Sequence, residues 1–381
     1  MKKAWIVVLL FLSLVGWLFH REIRIASFSG LIMIDILRPG QPPLLRYISR
    51  QPLVQLVRYP GGGREMEADF YFPPDRRPHS GIILVHGVNE VGKADPRIRW
   101  AAEILCRAGF SVLVPDFLGF KSLRLRPSDI KEIADSFLYL SSRQDLVRPD
   151  RLGIAGFSYG AGPTLIAGCD PRIRQKVDFL VSFGGYYDLM NIIQFVTTGH
   201  YSYQGRSFYR PPNDYTRWIF LHYNLDLLRQ DRDRELLQQA ETWKAKGKEA
   251  ELRRRLSGEG RAIYSLLNNR DPKKTAGLFS QLPPPLHRYI EVLSPCRHIQ
   301  DLEAYLFIVH GVPDDFIPHT ESLRLFDALP DKQKAHLTLL RIFSHVRPSL
   351  PRPTFSNILF VYLPEGAKFY SLAYDLLQRA I

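Results

Sequence analysis

The chain has 381 residues, 45% of them hydrophobic, and a formal net charge of +13 at neutral pH. This length and composition predict a globular protein with a sizeable core, built as one large domain with an insertion or as two modest domains. Its lysines and arginines are spread along the chain without a zinc, RNP or basic-zipper pattern, which argues against nucleic acid as a partner. Cys106, Cys169 and Cys296 are too few and too scattered for a disulfide framework or a metal cluster.

The N-terminus combines a basic start, MKK, with the uncharged stretch Ala4–Phe19. A membrane helix normally needs about 20 apolar residues, and about 17 suffice where tryptophan and basic residues lie at the boundary. We therefore expect a membrane anchor over residues 1–22, followed by a linker or interfacial segment over 23–49. A cleaved signal peptide is the alternative, although no small-x-small cleavage site follows closely. The rest of the chain is expected on the extracytoplasmic side, or secreted or periplasmic if the segment is cleaved.

Strand and helix patterns alternate from about residue 50 onward. The segments PLVQLVRYP and EMEADFYFP flank three glycines and predict an antiparallel hairpin. Continuous apolar runs separated by helices then indicate a parallel sheet that is covered on both faces, which is a doubly wound α/β architecture. The buried strands are predicted at 81–87, 109–116, 151–156, 177–185, 304–311 and 336–343, and the helices at 95–108, 128–147 (with Ser128 or Asp129 as N-cap), 319–329 and 355–379.

The alternation stops between residues 188 and 300. This block is first aromatic, then charged and helical, then rich in proline, and it contains no buried-strand pattern. A block of this kind between two strands of one sheet indicates a helical cap inserted into a single α/β domain. The core is therefore predicted in two parts, residues 50–187 and residues 301–381.

The stretch Gly156-Phe157-Ser158-Tyr159-Gly160 lies between a predicted buried strand and a predicted helix. A sharp strand-to-helix turn strains the backbone of its central residue, and side chains at the flanking glycines would collide with neighbouring elements. In return, the turn holds a hydroxyl above the strand ends, at the positive end of the next helix. This context predicts that Ser158 is a nucleophile.

A serine nucleophile needs a base, and the base needs an orienting acid. In a parallel sheet both are expected just beyond later strand ends, and the sequence places Asp314 and His345 there, in the chain order typical of this architecture. Asp315 remains the alternative acid. The other histidines near strand ends are interpreted as packing, capping or structural residues: His86, His310, His319 and His336.

Stabilising the negative oxygen of the reacting carbonyl requires two backbone N–H groups. One is expected from Tyr159, the residue after the nucleophile. The other is expected from the loop after the strand ILVHG, from Val88, with Asn89 as the alternative.

These motifs resemble the α/β-hydrolase family over residues 50–190 and 300–381. VHGVNE resembles the family's oxyanion loop, GFSYG its nucleophile turn, HGVPDDFIP its acid turn, with Asp314 at the matching position, and SHV its histidine loop. The spacing is most similar to dienelactone hydrolases and acetyl esterases, with a serine nucleophile, and it is also similar to the catalytic domain of prolyl-oligopeptidase-like peptidases.

The resemblance and the residues together predict a membrane-anchored serine hydrolase that acts on a small-molecule or lipid ester, more like a carboxylesterase or lipase than a peptidase. Ser158, His345 and Asp314 form the expected triad, and no metal or organic cofactor is implied. Two alternatives stay open, namely an acyltransferase with the same triad and a catalytically silent, membrane-bound interaction protein. The oligomeric state is not determined by these patterns.

Overall fold

The computed structural model describes residues 19–213 and 225–380. An eight-stranded sheet lies at the centre of this part of the chain, with the strand order β1-β2-β4-β3-β5-β6-β9-β10. The first three strands in this order pair antiparallel, and all other neighbours pair in parallel. The strands are β1 (Leu53–Gly61), β2 (Arg64–Phe72), β3 (His79–Val85), β4 (Phe110–Pro115), β5 (Val147–Phe157), β6 (Phe179–Phe183), β7 (His200–Tyr203), β8 (Arg206–Tyr209), β9 (Tyr305–Gly311), β10 (Ala335–Leu340), β11 (Phe343–Ser344) and β12 (Arg347–Pro348).

The predicted hairpin at the edge of the sheet is present. Gly61 pairs with Arg64, so that Gly62 and Gly63 form a two-residue turn. Both turn residues have positive φ, at 62° and 84°. Two-residue hairpin turns of this kind favour glycine because they place the backbone where a Cβ would be strained.

Helices cover both faces of the sheet, as the sequence predicts. One face is packed by α4, α5 and α13 over a core that includes Ile83, Ile154 and Leu306, and the other by α1, α2 and α15 over Ile82, Ala155 and Phe307. The helices are α1 (His20–Ile36), α2 (Pro96–Arg107), α3 (Leu118–Lys121), α4 (Pro127–Ser142), α5 (Ala161–Gly168), α6 (Leu189–Thr198), α7 (Asp231–Gln238), α8 (Ala240–Ala245), α9 (Glu249–Arg255), α10 (Gly258–Leu267), α11 (Thr275–Phe279), α12 (Pro284–Val292), α13 (Thr320–Ala328), α14 (Phe355–Asn357) and α15 (Leu363–Ala380).

The start of α4 differs from the prediction. The helix begins at Pro127 with Arg126 as its N-cap, so neither Ser128 nor Asp129 is the cap. Asp129 lies in the first turn instead, and its carboxylate accepts the N–H of Arg126 at 2.6 Å. Its burial raises the pKa of this carboxyl to about 7. The predicted N-cap was therefore wrong: Arg126 is the N-cap, and Asp129 supports it from the third position of the helix.

The segment predicted as an interfacial linker contains a helix that packs on the domain. In α1, Ile25 and Ile32 are buried, and the Arg21 guanidinium donates to the carbonyl of Gln378 near the end of α15. Asp35 then holds the following loop by accepting the N–H groups of Leu44 and Leu45. The helix and its loop are thus part of the folded core.

The predicted anchor lies almost wholly outside the described residues, in residues 1–18. Within residues 19–213 and 225–380, no helix has the length and hydropathy required to cross a bilayer. The anchor over residues 1–22 therefore stays a prediction.

The inserted block is helical, as predicted, and it also contains one short β-hairpin. Helices α6 to α12 lie between β6 and β9, and they pack through apolar residues such as Ile193, Leu266 and Leu286. The short antiparallel hairpin β7–β8 was not predicted, because its side chains are mostly exposed or half-buried and leave no buried-strand pattern. We refer to residues 188–300 as the cap.

Candidate active site

Ser158 lies at the carboxyl end of the central strand β5, in a single helical turn that leads into α5. Its φ is +55°, so the strained backbone expected for this turn is present. A Cβ at Gly160 would overlap the backbone carbonyl oxygen of His86, and one at Gly156 would lie 2.7 Å from the Cα of Ala161. The two glycines therefore permit the close packing that holds the hydroxyl in place.

His345 lies at the tip of a two-residue hairpin. Phe343 pairs with Pro348, and Ser344 pairs with Arg347, which leaves His345 and Val346 as the turn. The φ of His345 is +55°, a conformation in which histidine is one of the enriched non-glycine residues. The ring of Phe316 stacks on the imidazole at a centroid distance of 4.7 Å. The turn and the stacked ring together fix the direction of the imidazole.

The structure brings the three predicted side chains into one hydrogen-bonded chain. His345 Nε2 lies 2.6 Å from Ser158 Oγ, and His345 Nδ1 lies 2.7 Å from Asp314 Oδ2. Asp314 is fully buried, and the other two side chains are nearly so. The predicted nucleophile Ser158 and the predicted acid Asp314 each lie within hydrogen-bond reach of the predicted base His345. This is the arrangement by which a serine hydroxyl can be activated.

Asp314 is held as a carboxylate although it is buried. Burial acts to raise its pKa, but His345 and His310 lower it by more, so that it lies well below its usual range. Its Oδ1 accepts the backbone N–H groups of Phe316 and Ile317, at 2.8 and 2.9 Å. Both carboxylate oxygens are thereby paired, and the charge faces the imidazole across the neutral pH range.

Asp315, the alternative acid, points elsewhere. Its carboxylate accepts from the side-chain amide of Asn213, and its backbone carbonyl accepts the N–H of the same residue. The acid turn is therefore fastened to the cap through Asp315, while Asp314 faces His345.

The remaining histidines have other partners. His86 Nε2 accepts the N–H of Phe117, and burial lowers the pKa of this imidazole. His336, in the edge strand β10, pairs with Asp375 of α15 at 2.6 Å. His319 is the N-cap of α13 by position, but its side chain makes no capping hydrogen bond.

His310 contributes more than the turn packing predicted for it. It is fully buried, its Nε2 lies 2.9 Å from the carbonyl of Ile317 and 3.3 Å from Asp314 Oδ2, and its Nδ1 contacts Ser322 Oγ. An Nε2–H tautomer donates to the carbonyl and the carboxylate together. His310 is therefore a positioning residue for Asp314, and its spacing of four residues from that carboxylate was the available signal.

The contact that Arg210 makes with the acid turn was also not predicted from the sequence. This cap residue, one position after β8, donates to the backbone carbonyls of Val312 and Asp314, at 3.0 and 2.7 Å. It ties the cap to the acid turn. No motif marks such a contact, because it depends on how the hairpin β7–β8 folds back onto the core.

The two residues predicted to donate to an oxyanion lie beside Ser158. Val88 and Tyr159 line the same cavity as Ser158, and the loop that carries Val88 passes so close that a Cβ on Gly87 would lie 3.5 Å from Ser158 Oγ. Asn89, the alternative donor, shapes this loop, because its Oδ1 accepts the N–H groups of Val91 and Gly92. The oxyanion role of Val88 and Tyr159 stays a prediction.

A cavity of about 1380 Å³ opens at these residues. Ser158 and His345 form part of its wall, and most of the other lining side chains are apolar and come from the cap, the sheet and the helices on one face of the sheet. Such a volume exceeds the usual range of small-molecule pockets, roughly 300–1000 Å³. The site therefore has room for a large apolar ligand next to the serine.

Comparison with known sequences gives a limited match. No family model matches the chain. A Mycobacterium tuberculosis protein found in two strains, provisionally named a phosphoribosyl transferase, is 32% identical over 119 residues. The match covers 30% of this chain and 26% of that protein, so the chain corresponds to about a quarter of its length.

Comparison with solved structures identifies the architecture. The acylaminoacyl peptidase of Pyrococcus horikoshii is 13% identical, with 89% of this chain and 43% of that chain covered and a TM-score of 0.51. A puromycin-hydrolysing peptidase of Mycobacterium tuberculosis is 16% identical, with 90% and 40% covered and a TM-score of 0.51. This chain spans less than half the length of each. The narrower resemblance to dienelactone hydrolases and acetyl esterases stays a prediction, whereas the broader one is confirmed: the chain has the α/β-hydrolase fold.

Proposed function

We propose that the protein is a serine hydrolase that cleaves a carboxylic ester through an acyl-enzyme. The observation that carries this proposal is the hydrogen-bonded chain from Ser158 Oγ through His345 to Asp314, at 2.6 and 2.7 Å. The strained φ of +55° at Ser158 supports it, because backbone strain of this kind is typically retained at functional sites.

The proposed reaction has two halves. Ser158 Oγ attacks the carbonyl carbon while His345 Nε2 takes the hydroxyl proton, and the resulting oxyanion accepts the N–H groups of Val88 and Tyr159. The tetrahedral intermediate collapses, and the imidazolium gives its proton to the departing alkoxide. Water then attacks the acyl-enzyme with His345 again as the base. The second tetrahedral intermediate collapses with cleavage of the bond to Ser158 Oγ, which takes the proton back from the imidazolium as the carboxylic acid leaves. Asp314 orients the imidazole and stabilises its charged form throughout.

The character of the cavity favours an ester over a peptide. Most of the side chains around Ser158 are apolar. A peptide brings backbone N–H and C=O groups that need hydrogen-bond partners when they leave water, whereas an ester with apolar substituents brings far fewer. The charged Asp95 and Arg97 in the wall pair with each other, which leaves them poorly placed to bind peptide termini.

The test is labelling with a fluorophosphonate probe, which reacts with an activated serine. We expect the wild-type protein to be labelled and to hydrolyse p-nitrophenyl acetate, and Ser158→Ala to do neither. Ser182→Ala, at a second buried serine outside the triad, is the matched control and should be labelled like the wild type. An unlabelled wild-type protein would contradict the proposal. Transfer of the acyl group to an added alcohol in preference to water would identify an acyltransferase instead.

We also propose that the protein works at a lipid surface. Five apolar side chains on the segment 355–363 are exposed: Phe355, Ile358, Leu359, Phe360 and Leu363. Contiguous exposed apolar side chains of this kind mark contact surfaces. Residues 341–368 contain four basic residues and one acidic residue, Glu365, which is buried, and this balance favours an anionic bilayer as the partner.

This contact can be tested in the full chain with an environment-sensitive fluorophore. We expect a probe at Phe360→Cys, in a Cys296→Ser background, to shift its emission to shorter wavelength when anionic vesicles are added. The same probe at Leu56→Cys is the control, because Leu56 is also exposed but lies on the edge strand β1. Equal behaviour of the two probes would contradict the proposed contact surface.

A further inference from the structure

The cavity at Ser158 extends in two directions. One part, here called the cap limb, lies under α6, α10 and α12 and is lined by residues such as Ile193, Leu266 and Leu286. The other part, here called the sheet limb, runs along the sheet face that α1, α2 and α15 cover. The two limbs meet at the serine, so a scissile bond at Ser158 Oγ would have apolar space on both sides.

Strand register shows how the sheet limb descends from the nucleophile. Phe157, directly before Ser158, pairs with Phe183, which pairs with Val309, and all three line the cavity. Two residues further down the strands, the row Ala155, Val181 and Phe307 lines it as well. The limb therefore starts beside the nucleophile and passes into the interior of the sheet face.

The opposite wall of the sheet limb is made by helices, through Ile32 of α1, Ala101 and Leu105 of α2, and Ala373 and Leu376 of α15. Protein interiors are normally close-packed, and unfilled apolar space costs free energy. Yet Val181, in the middle of a strand with neighbours on both sides, is only half-buried. Space maintained at such a position indicates that something other than the side chains of residues 19–213 and 225–380 fills it.

The dimensions fit a long hydrocarbon chain. From Ser158 to the lower row is three strand residues, roughly 10 Å, and from β5 across to β9 is two strand spacings, again roughly 10 Å. An extended hydrocarbon advances about 1.25 Å per carbon, from a C–C bond of about 1.5 Å and an angle of about 111°. The path therefore accommodates an acyl chain of roughly ten carbons or more.

We propose that the sheet limb binds the acyl chain of a long-chain ester, with its carbonyl at Ser158 and its alcohol part beneath the cap. This inference rests on the proposed function, since it assigns the substrate class of the same serine. Each methylene that moves from water into the limb contributes about 0.8 kcal/mol, which corresponds to about a fourfold gain in kcat/KM per carbon.

The first experiment is a series of p-nitrophenyl esters from the acetate to the palmitate. We expect kcat/KM to rise with acyl length until the limb is filled. In Ala101→Phe, where the new ring enters the limb from α2, we expect kcat/KM for esters of ten or more carbons to fall at least tenfold while that for the acetate stays within twofold. Ala328→Phe is the matched control, because Ala328 is half-buried under the opposite face of the sheet.

A second variant keeps the test informative if Ala101→Phe folds poorly. Leu376→Ala enlarges the limb, and we expect it to move the preferred acyl length upward. The two proposals fail differently: a wild-type protein that is not labelled at Ser158 contradicts the hydrolase assignment. A labelled protein that prefers the acetate, or a variant that loses acetate and long-chain activity equally, contradicts the acyl-chain site alone.

Discussion

Replacement of His345 by asparagine is expected to lower kcat for p-nitrophenyl acetate by about 10⁴-fold. The imidazole is the group in the described structure that contacts Ser158 Oγ and Asp314 together, so its removal leaves the hydroxyl without a base. Asparagine is the appropriate substitution because it tolerates the left-handed backbone that His345 adopts, with φ at +55°. The measurement is steady-state kinetics with thermal unfolding recorded on the same sample.

His336→Asn is the matched control for this prediction. This variant removes another histidine that pairs with an aspartate. Here the histidine is in the edge strand β10 and its partner, Asp375, is in α15. We expect this variant to keep activity within about twofold of the wild type. If the two variants lost activity equally, a general destabilisation would be the better explanation, and His345 would not be the base.

The inner strands of the sheet were predictable from sequence because they are buried on both faces. Runs such as GIILV and AYLFIV are apolar without alternation, and a parallel strand between two helical layers requires this pattern. The hairpin at Gly62 and Gly63 was predictable for a different reason, since its turn requires positive φ at both positions. In both cases the local backbone conformation and the position in the sheet favour the same residue types: apolar residues in the inner strands, and glycine in the turn.

The candidate site was predictable only in part. Ser158 was identified by a strand before it and a helix after it, and these are local features of the sequence. His345 was harder to identify, because the hairpin that presents it has strands of only two residues each. Such strands have no periodicity to detect. The choice between Asp314 and Asp315 depends on which side chain faces the imidazole, and the motif at the acid turn favoured Asp314, which is the one that contacts His345.

Features that depend on packing between distant segments could not be predicted. Arg210 reaches the acid turn only because a hairpin in the cap folds back over about 100 residues of sequence. The sheet limb likewise exists because α1 and α15, from opposite ends of the chain, leave space above the strands. The sequence of residues 23–49 suggested only a linker or interfacial segment, and it did not show that α1 lines the cavity.

Replacement of Asp314 by asparagine is expected to lower kcat by about 10³- to 10⁴-fold without loss of the fold. The amide oxygen still accepts the N–H groups of Phe316 and Ile317 in place of Oδ1. The amide NH₂ then faces His345 Nδ1 and converts it from a donor into an acceptor. The imidazole proton moves to Nε2, where it points at Ser158, and the base can no longer accept the hydroxyl proton.

Asp315→Asn is the matched control, one residue further along the same turn, and it should retain nearly full activity because its side chain faces the cap. Asp314→Asn should also change the dependence of stability on pH. The wild-type carboxyl has a lowered pKa in the folded state, so it stabilises the fold above its ordinary pKa, and this contribution is lost as the pH falls through the folded-state value. In the variant this acid-dependent loss is absent. An active Asp314→Asn with an inactive Asp315→Asn would move the acid to Asp315 and contradict the geometry described above.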